Sequence, residues 1–310
     1  MTTTGIVAEG VRRSFGQVHA VRDVTFQAPA GAVTGLVGPN GSGKTTLLLM
    51  LASLLAPDAG TIRIGGIDPV EDPAAARALL GWMPDSLGAW PSLTARETIA
   101  VTGRLSGLDR AASAARAAEL LTTVGLDDLG DAPAKVLSRG QKQRLGLARA
   151  LVHDPKVLLL DEPASGLDPQ ARVDLRILLR RLAAEGRTIL ISSHILSELE
   201  EVVDDAVFLL RGETVRADRI AEAATRARTW RIRLADRDAT AAALPVAQAL
   251  GLDVASIPVD RRDLLVAFVG DESAAQGLTA LVQAGLPVAE FSASTGILEH
   301  TFLDLEGGAR

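Results

Sequence analysis

The chain has 310 residues, a length that gives a prior of about two domains, and its composition of 47% hydrophobic and 23% charged residues excludes an intrinsically disordered protein. Its formal net charge is -6, from 32 lysines and arginines against 38 aspartates and glutamates, and the interspersed signs argue against nucleic acid as a partner. The absence of cysteine excludes disulfide frameworks, thiolate catalysis and cysteine-rich zinc sites.

The N-terminal segment and the apolar runs bear on where the protein works. Residues 1–10 carry no basic stretch followed by an apolar core, so we expect no secretory signal and a protein that stays inside the cell. The longest strongly apolar run, residues 45–56, is shorter than the ~20 residues that a membrane-spanning helix needs. If this protein acts at a membrane, we expect another chain to cross it.

The first part of the chain predicts short strands that lead into a glycine-rich loop. Strands are expected at 18–26 and 32–37, with a turn at 28–31 between them. An apolar segment with helical character follows Lys44, which gives the order strand, glycine loop, helix. Further short strands are expected at 61–66 and 80–83.

Residues 94–152 are rich in alanine, leucine and arginine with helical spacing, interrupted at Gly107, Gly125 and Pro133. We interpret this stretch as a helical insertion at about 88–152. Strands and helices then alternate, which favours a parallel sheet. The expected strands lie at 157–160, 188–192 and 206–210, and the expected helices at 169–185 and 196–203.

After residue 227 the pattern restarts as a smaller α+β domain. Residues 230–234 alternate apolar and basic side chains, as a strand with one buried face does. Helices are expected at 238–250, 271–284 and 297–305, and strands at 264–269 and 288–292. We therefore divide the chain into a domain at 1–227 and an accessory α+β domain at 228–310.

The glycine loop matches the phosphate-loop pattern, in which backbone N–H groups wrap a polyphosphate at a helix N-terminus. Lys44 is expected to reach the β and γ phosphates, and the Thr45 hydroxyl to bind magnesium. A glycine-rich connector is the alternative, but the strand before the loop and the helix after it favour phosphate binding. The expected nucleotide-binding residues of the loop are Gly38, Pro39, Asn40, Gly41, Ser42, Gly43, Lys44, Thr45 and Thr46.

Two carboxylates follow the apolar strand at 157–160. Asp161 is expected to hold magnesium and Glu162 to polarise the attacking water, the positioning work that phosphoryl transfer requires. An apolar run that ends in an acidic pair is common by itself. Its place downstream of a phosphate loop is what points to a catalytic role.

Residues 137–144 read Leu-Ser-Arg-Gly-Gln-Lys-Gln-Arg, and with this segment the chain resembles the ABC ATPase family. The family signature is Leu-Ser-Gly-Gly-Gln, so only Arg139 departs from it. The resemblance implies that Ser138, Gly140 and Gln141 bind the γ-phosphate held by the opposite subunit. In isolation the same segment would be a capped helix with a basic face.

The resemblance, which covers about residues 5–225, assigns further positions. Residues 165–168 resemble the D-loop, with Asp168 as a site residue or, alternatively, part of a plain turn, and His194 resembles the switch histidine near the γ-phosphate. Phe15 resembles the aromatic that stacks on adenine, although an ordinary core residue is an equal alternative. Asp85 stands where the family has glutamine, and we expect it to contact magnesium, with Trp82, Met83 and Trp90 forming a docking groove nearby.

The family likeness implies an α/β P-loop NTPase core with a small antiparallel portion, ATP and Mg²⁺ as cofactors, and a head-to-tail pair of subunits. It also implies a polytopic membrane permease as partner, a place on the cytoplasmic face of the membrane, and export. A soluble ATPase acting on ribosomes or DNA is an alternative, but the chain shows no second ATPase core, coiled coil or basic extension. A regulatory module without turnover is another, and the intact Glu162 argues against it.

Overall fold

One nine-stranded mixed sheet organises the first part of the chain. The structure is a computed structural model that describes residues 5–86, 88, 92–235 and 238–307. The strands of this sheet are β1 (Ile6–Phe15), β2 (Val18–Ala28), β3 (Val33–Val37), β4 (Ala59–Ile64), β5 (Leu80–Met83), β6 (Val157–Asp161), β7 (Thr188–Ser192), β8 (Asp205–Leu210) and β9 (Glu213–Thr214). Their order across the sheet is β4-β1-β2-β9-β8-β3-β7-β6-β5.

Strands β3, β5, β6, β7 and β8 are parallel and form the centre and one edge of the sheet. Every residue of β3, β6 and β7 is buried. Strands covered on both faces are uninterrupted apolar runs, because no side points to water. The helices of this unit are α1 (Lys44–Leu51), α2 (Pro73–Leu79), α3 (Ala95–Leu105), α4 (Arg110–Thr123), α5 (Arg139–Ala150), α6 (Pro169–Ala184) and α7 (Leu196–Glu200).

The antiparallel region consists of β1, β2 and β4. Its strands alternate buried and exposed side chains, since only one face packs on the core. Ile6, Val24 and Ile62 of this region join Leu47 and Leu51 of α1 in one buried cluster. The helix that begins at the glycine loop is thereby fixed between the two regions of the sheet.

Helices α3, α4 and α5 form the segment expected to be a helical insertion. Side-chain caps fix their first turns: Thr94 with Glu97 at α3, Asp109 at α4, and Ser138 with Gln141 at α5. Gly107 and Gly125, two of the expected interruptions, adopt left-handed φ values of 94° and 64°. Helix α5 packs against β5, with its last residue, Ala150, close to Gly81.

The second compact unit begins at Arg216 and contains α8 (Ala217–Ala224), β10 (Ala227–Leu234), α9 (Ala239–Leu250), β11 (Val259–Asp260), β12 (Asp263–Val269), α10 (Gly270–Gln283), β13 (Val288–Ala293) and α11 (Ile297–Gly307). Its antiparallel sheet has the order β11-β12-β10-β13, which with the connections β10-α9-β11-β12-α10-β13 is the split βαβ topology. Helices α9 and α10 pack on one sheet face around Ile232, Val246, Leu264 and Leu281.

The predicted fold class is confirmed, and most predicted elements are present within one or two residues. Helix α7 ends at Glu200 although a helix was expected to 203, because Val202 N–H bonds Leu199 O in a tighter turn and Asp204 N–H leaves the helix to bond Val33 O. Helices α2 and α8 were not predicted. The two compact units divide between Val215 and Arg216, and α8 packs against α11 of the second unit.

Within the part of the chain that the structure describes, no helix is both long and apolar enough to span a bilayer.

Gly81 of β5 provides a test of how tightly α5 packs on the sheet. A methyl group at this position would lie 2.3 Å from Ala150 O at the end of α5 and 2.7 Å from a methyl of Leu158. Gly81→Ala should therefore lower the free energy of unfolding by about 1–3 kcal/mol, the usual effect of overpacking. Gly88→Ala is the matched control, since no atom of the described residues lies within 4 Å of the added methyl. Urea denaturation followed by circular dichroism measures both, and equal stability of the two variants would contradict the prediction.

Candidate nucleotide-binding and hydrolysis site

The loop between β3 and α1 can only be built from glycine at two of its positions. A Cβ on Gly38 would lie 2.3 Å from Leu209 O, and one on Gly43 would lie 2.4 Å from Ala20 O. Gly43 also has a left-handed φ of 102°. Gly43 is also the N-cap of α1, so the helix begins at the residue that follows the loop. Free amide groups at a helix N-terminus favour anions.

Lys44 is buried at the start of α1. Its Nζ donates hydrogen bonds to Gly38 O at 2.6 Å and Pro39 O at 3.2 Å. Burial lowers the pKa of the Lys44 ammonium, and the carboxylates of Glu162 and Asp161 oppose this shift. Ser42 in the same loop holds a buried hydroxyl that has no hydrogen-bond partner among the described residues. A cation and an unsatisfied hydroxyl in one loop fit an anionic ligand.

Asp161 ends β6 as a buried carboxylate. Its Oδ1 accepts a hydrogen bond from Ser192 Oγ at 2.5 Å, and its Oδ2 accepts one from Thr45 Oγ1 at 3.3 Å. Burial raises the pKa of Asp161; the two hydroxyls lower it, and the nearby Glu162 and Asp85 carboxylates raise it again. The ionised form is therefore under-compensated by the protein, which favours a bound cation at this position.

Glu162 follows Asp161 in a left-handed conformation, with φ of 52°. Its N–H donates to the carbonyl oxygen and the hydroxyl of Ser192, both at 3.2 Å, and these bonds hold the strained backbone in place. Glu162 Oε2 lies 2.7 Å from His194 Nδ1. The glutamate side chain is 16% exposed and the histidine 56%. A carboxylate oriented by a histidine at the edge of a cleft can position a water molecule.

The glycine loop, β2 and the two carboxylates line one cleft. Of the expected site residues, the cleft is lined by Asn40, Gly41, Gly43, Lys44, Thr45, Thr46, Asp85, Asp161 and Glu162. Val18, His19 and Ala20 also line it, and sequence reasoning did not single them out. No pattern in the sequence marks these residues, because their position depends on the long-range approach of β2 to Gly43.

Phe15 pairs with Val18 across the β1–β2 hairpin. Its ring is 47% exposed, and the guanidinium of Arg13 lies 4.9 Å from the ring centroid. An ordinary core phenylalanine does not fit this exposure. A stacking role on adenine stays a prediction that this position permits, since Val18 lines the cleft beside it.

Ser138 and Gln141 form a reciprocal capping box at the first turn of α5. Gln141 N–H donates to Ser138 Oγ at 3.2 Å, and Ser138 N–H donates to Gln141 Oε1 at 2.8 Å. Gly140 lies against the next loop, since a Cβ there would be 2.9 Å from Gly166 O. Asp168 caps α6 by accepting a hydrogen bond from Ala171 N–H at 2.9 Å. Ser138, Gly140, Gln141 and Asp168 are not among the residues that line the cleft.

Gln143 and Ser192 are two site residues that sequence reasoning missed. Gln143 is buried, and its Nε2 donates to Asp85 O at 3.0 Å and to Glu162 O at 3.4 Å. An amide side chain among the buried leucines of α5 was the available signal. The docking-groove prediction does not hold for Met83, which is buried. Trp82 is partly buried against the core cluster that contains α1, and its place in a groove stays a prediction. Trp90 lies outside the described residues.

The chain is similar to proteins of known class. A family model for ABC transporters matches residues 21–165. Nod factor export ATP-binding protein I of Paraburkholderia xenovorans is 44% identical over 203 residues, which is 65% of this chain and 66% of that protein. Daunorubicin resistance ATP-binding protein DrrA3 of Streptomyces coeruleorubidus is 33% identical over 312 residues, which is 100% of this chain and 98% of that protein.

A solved structure adds a three-dimensional likeness. The dimeric structure of the bacterial ABC transporter cassette MJ0796 aligns with a TM-score of 0.64 at 25% identity, and the match covers 68% of this chain and 97% of the cassette. The post-hydrolysis dimer of the same cassette, bound to ADP and Pi, aligns with a TM-score of 0.63 at 25% identity, over 68% of this chain and 97% of the cassette.

The raised pKa of Asp161 predicts that its ionised carboxylate lowers the stability of the fold while hydrolysis requires it. Between the ordinary value of 3.8 and the higher folded-state pKa, the folded chain binds more protons, so stability falls as pH rises and stays reduced at neutral pH. Asp161→Asn should therefore raise the melting temperature at neutral pH without magnesium or nucleotide. The same change should abolish magnesium-dependent hydrolysis. Thermal denaturation at pH 4 and pH 7 measures the first effect, and a smaller gain at pH 7 than at pH 4 would contradict it.

Proposed function

We infer that this chain, which belongs to the ABC transporter family, binds and hydrolyses ATP as the cassette of an exporter. The observation that carries this function is one cleft in which the glycine loop and Lys44 face Asp161 and Glu162. Phosphoryl transfer requires positioning and charge stabilisation rather than a covalent partner. The cleft supplies both, with backbone amides and a cation on one wall and a water-positioning carboxylate on the other.

Each residue of the cleft has a specific task in this proposal. The backbone N–H groups that remain free in the loop of residues 38–46, together with the Lys44 ammonium, bind the polyphosphate. Glu162 accepts a hydrogen bond from the attacking water and orients it, and His194 holds the Glu162 carboxylate at 2.7 Å. Ser192 fixes the backbone of Glu162 and one oxygen of Asp161.

Magnesium fits the donor set at the cleft. Thr45 and Asp161 offer a hydroxyl and a carboxylate, the hard oxygen ligands that this ion prefers. No cluster of three or more potential metal-binding side chains occurs among the residues that the structure describes, so the protein alone builds no cage. This suits an ion that keeps waters and phosphate oxygens as ligands, and that would neutralise charge on the transferring phosphoryl group.

Two copies of the chain are proposed to act head to tail. Ser138, Gly140 and Gln141 stand apart from the cleft of their own chain, at the capped N-terminus of a 12-residue helix. A helix N-terminus favours an anion, and a second subunit can offer one. The dimeric cassette MJ0796 supports this arrangement by its likeness to the chain. ATP binding would close the pair, and hydrolysis would open it.

The proposed partner is a polytopic permease, with the cassette on the cytoplasmic face of the membrane. The relatives are named for Nod factor export and daunorubicin resistance, which supports export of a small molecule, drug or lipid. The net charge of -6 gives no support to a nucleic-acid partner.

The part of the chain after residue 227 is proposed to be an accessory domain. Its split βαβ unit has its own core, with Trp230 packed between Phe268 and Phe291 at centroid distances of 6.5 Å and 4.9 Å. None of the residues expected in catalysis falls in it. We therefore propose that this domain tunes the dimerisation of the chain or its docking to the permease.

Glu162→Gln tests the catalytic assignment. The amide keeps the shape of the side chain but cannot accept a proton, so turnover should fall at least ~100-fold while ATP binding remains. The variant should also accumulate as an ATP-bound dimer, which gel filtration with and without ATP detects. Glu185→Gln, which changes an exposed carboxylate paired with Arg187 outside the cleft, serves as the control. Hydrolysis near the wild-type rate by pure Glu162→Gln protein would remove Glu162 from this role.

Substitution of Asp85 tests whether the cleft has a magnesium ligand in addition to Thr45 and Asp161. Its backbone carbonyl accepts the Gln143 bond, which any residue at this position preserves, so substitutions change only the side chain. If Asp85 contacts magnesium directly or through water, Asp85→Ala should need more magnesium for half-maximal hydrolysis, and Asp85→Asn should lie between it and wild type. Magnesium titrations with and without the permease measure this. An unchanged magnesium requirement in both variants would leave Asp85 as a solvated turn residue.

A further inference from the structure

Arg139 occupies the third signature position, where the family has glycine, and its side chain makes contacts that glycine cannot make. Its guanidinium Nη2 donates a hydrogen bond to Ser165 Oγ at 2.7 Å. Its aliphatic stem covers Gly166, because a Cβ on that glycine would lie 2.8 Å from Arg139 Cδ and 2.9 Å from Cγ. Gly166 also needs its left-handed φ of 74°. The arginine and the loop therefore fit each other closely.

Helix α5 holds the loop of residues 162–168 at several points. Gln143 Nε2 reaches the carbonyl of Glu162 at 3.4 Å, at the start of the loop. Gly140 comes so close to Gly166 that an added Cβ would meet its carbonyl oxygen at 2.9 Å. Arg139 adds the contact at Ser165, in the middle of the loop. The first turn of α5 and the loop that begins with Glu162 are in direct contact along most of the loop.

The charge of Arg139 does not explain its position. No carboxylate lies within ion-pair distance of its guanidinium in the described ranges of the chain, and the hydrogen-bond partner is a neutral hydroxyl. A cation in the first turn also interacts unfavourably with the helix dipole, so the side chain does not serve the stability of α5. What it adds is a directional bond and packing across to the loop.

We propose that Arg139 is a positioning residue that joins the signature helix to the loop of residues 162–168, so that the two move as one body. This rests on the proposed function, in which the signature of one subunit binds the nucleotide of the other. Contact of Ser138 and Gly140 with the partner's phosphate then shifts Glu162 in the cleft of their own subunit. The tie makes hydrolysis in one cleft depend on occupancy of the other.

The test compares Arg139→Ala and Ser165→Ala with their double variant, and with Ser165→Thr, which retains the hydroxyl. Loss of one such bond should lower kcat for ATP about threefold to tenfold. The KM for ATP should change less than kcat, because neither residue lines the cleft in which the chain binds its own nucleotide. The Hill coefficient should fall towards that of independent sites. The double variant should lose no more than Arg139→Ala alone, since Ser165→Ala removes only a bond that Arg139→Ala already removes, and Ser165→Thr should recover most of the activity.

Two further measurements separate coupling from a general loss of structure. Melting temperatures without nucleotide identify any variant that fails to fold, and Ser165→Ala removes the fewest atoms. In a Glu162→Gln background, the Arg139→Ala change should weaken the ATP-dependent dimer seen by gel filtration. Lys142→Ala changes another cation of α5, which bonds Lys135 O instead of the loop, and should match wild type in every assay.

Wild-type kcat and Hill coefficient in both single variants would overturn the proposal, as would additive losses in the double variant. If the wild-type chain does not hydrolyse ATP and the Glu162→Gln variant does not form an ATP-dependent dimer, the proposed function fails, and the role of Arg139 fails with it. If the wild type hydrolyses ATP, the Glu162→Gln variant dimerises, and the changes at Arg139 and Ser165 alter neither result, only the role of Arg139 fails.

Discussion

A buried carboxylate at the end of β6 is the constraint on which the cleft depends. Asp161 is 4% exposed, and its ionised form costs free energy that two hydroxyls offset only in part. Two further carboxylates, Glu162 and Asp85, raise the cost by repulsion. Lys44 is a buried group of the opposite charge, and burial likewise disfavours its charged form. An anion bound by Lys44 and a cation bound by Asp161 would relieve both costs, which is the physical basis for the proposed binding of a magnesium nucleotide.

Helix α5 connects this cleft to the rest of the first unit through side chains that bind backbone carbonyls. Gln143 reaches Asp85 and Glu162, and Arg149, whose pKa burial lowers, reaches Gly88 O at 3.3 Å. The segment that follows β5 and the segment that follows β6 are therefore held by the same helix. A displacement of α5 would therefore act on both segments through these bonds.

The sequence predicted the parts of the site that are written as local patterns. The glycine loop, the capped start of α5, and the apolar strand ending in Asp161 are each contained in a few consecutive residues, and the structure has them in that order. Helix α2 could have been found in the same way, since Asp72 followed by Pro73 is a helix start. Gln143 and Ser192 could not be assigned roles, because their partners are backbone atoms and side chains brought near by the fold. The exposure of Phe15 likewise depends on the hairpin and not on its neighbours in sequence.

The signature can bind a phosphate without giving up its helix cap. A hydroxyl has one donor and two acceptor sites, and Ser138 Oγ uses an acceptor site for Gln141 N–H, so its own proton remains free to donate to an anion. The guanidinium of Arg139 is bonded to Ser165 in the neighbouring loop. The Ser138 cap, Gly140 and the bond from Arg139 to Ser165 are therefore compatible with one another in this turn. If the partner's nucleotide binds at this turn as proposed, little ordering of the turn is left to oppose closure of the pair.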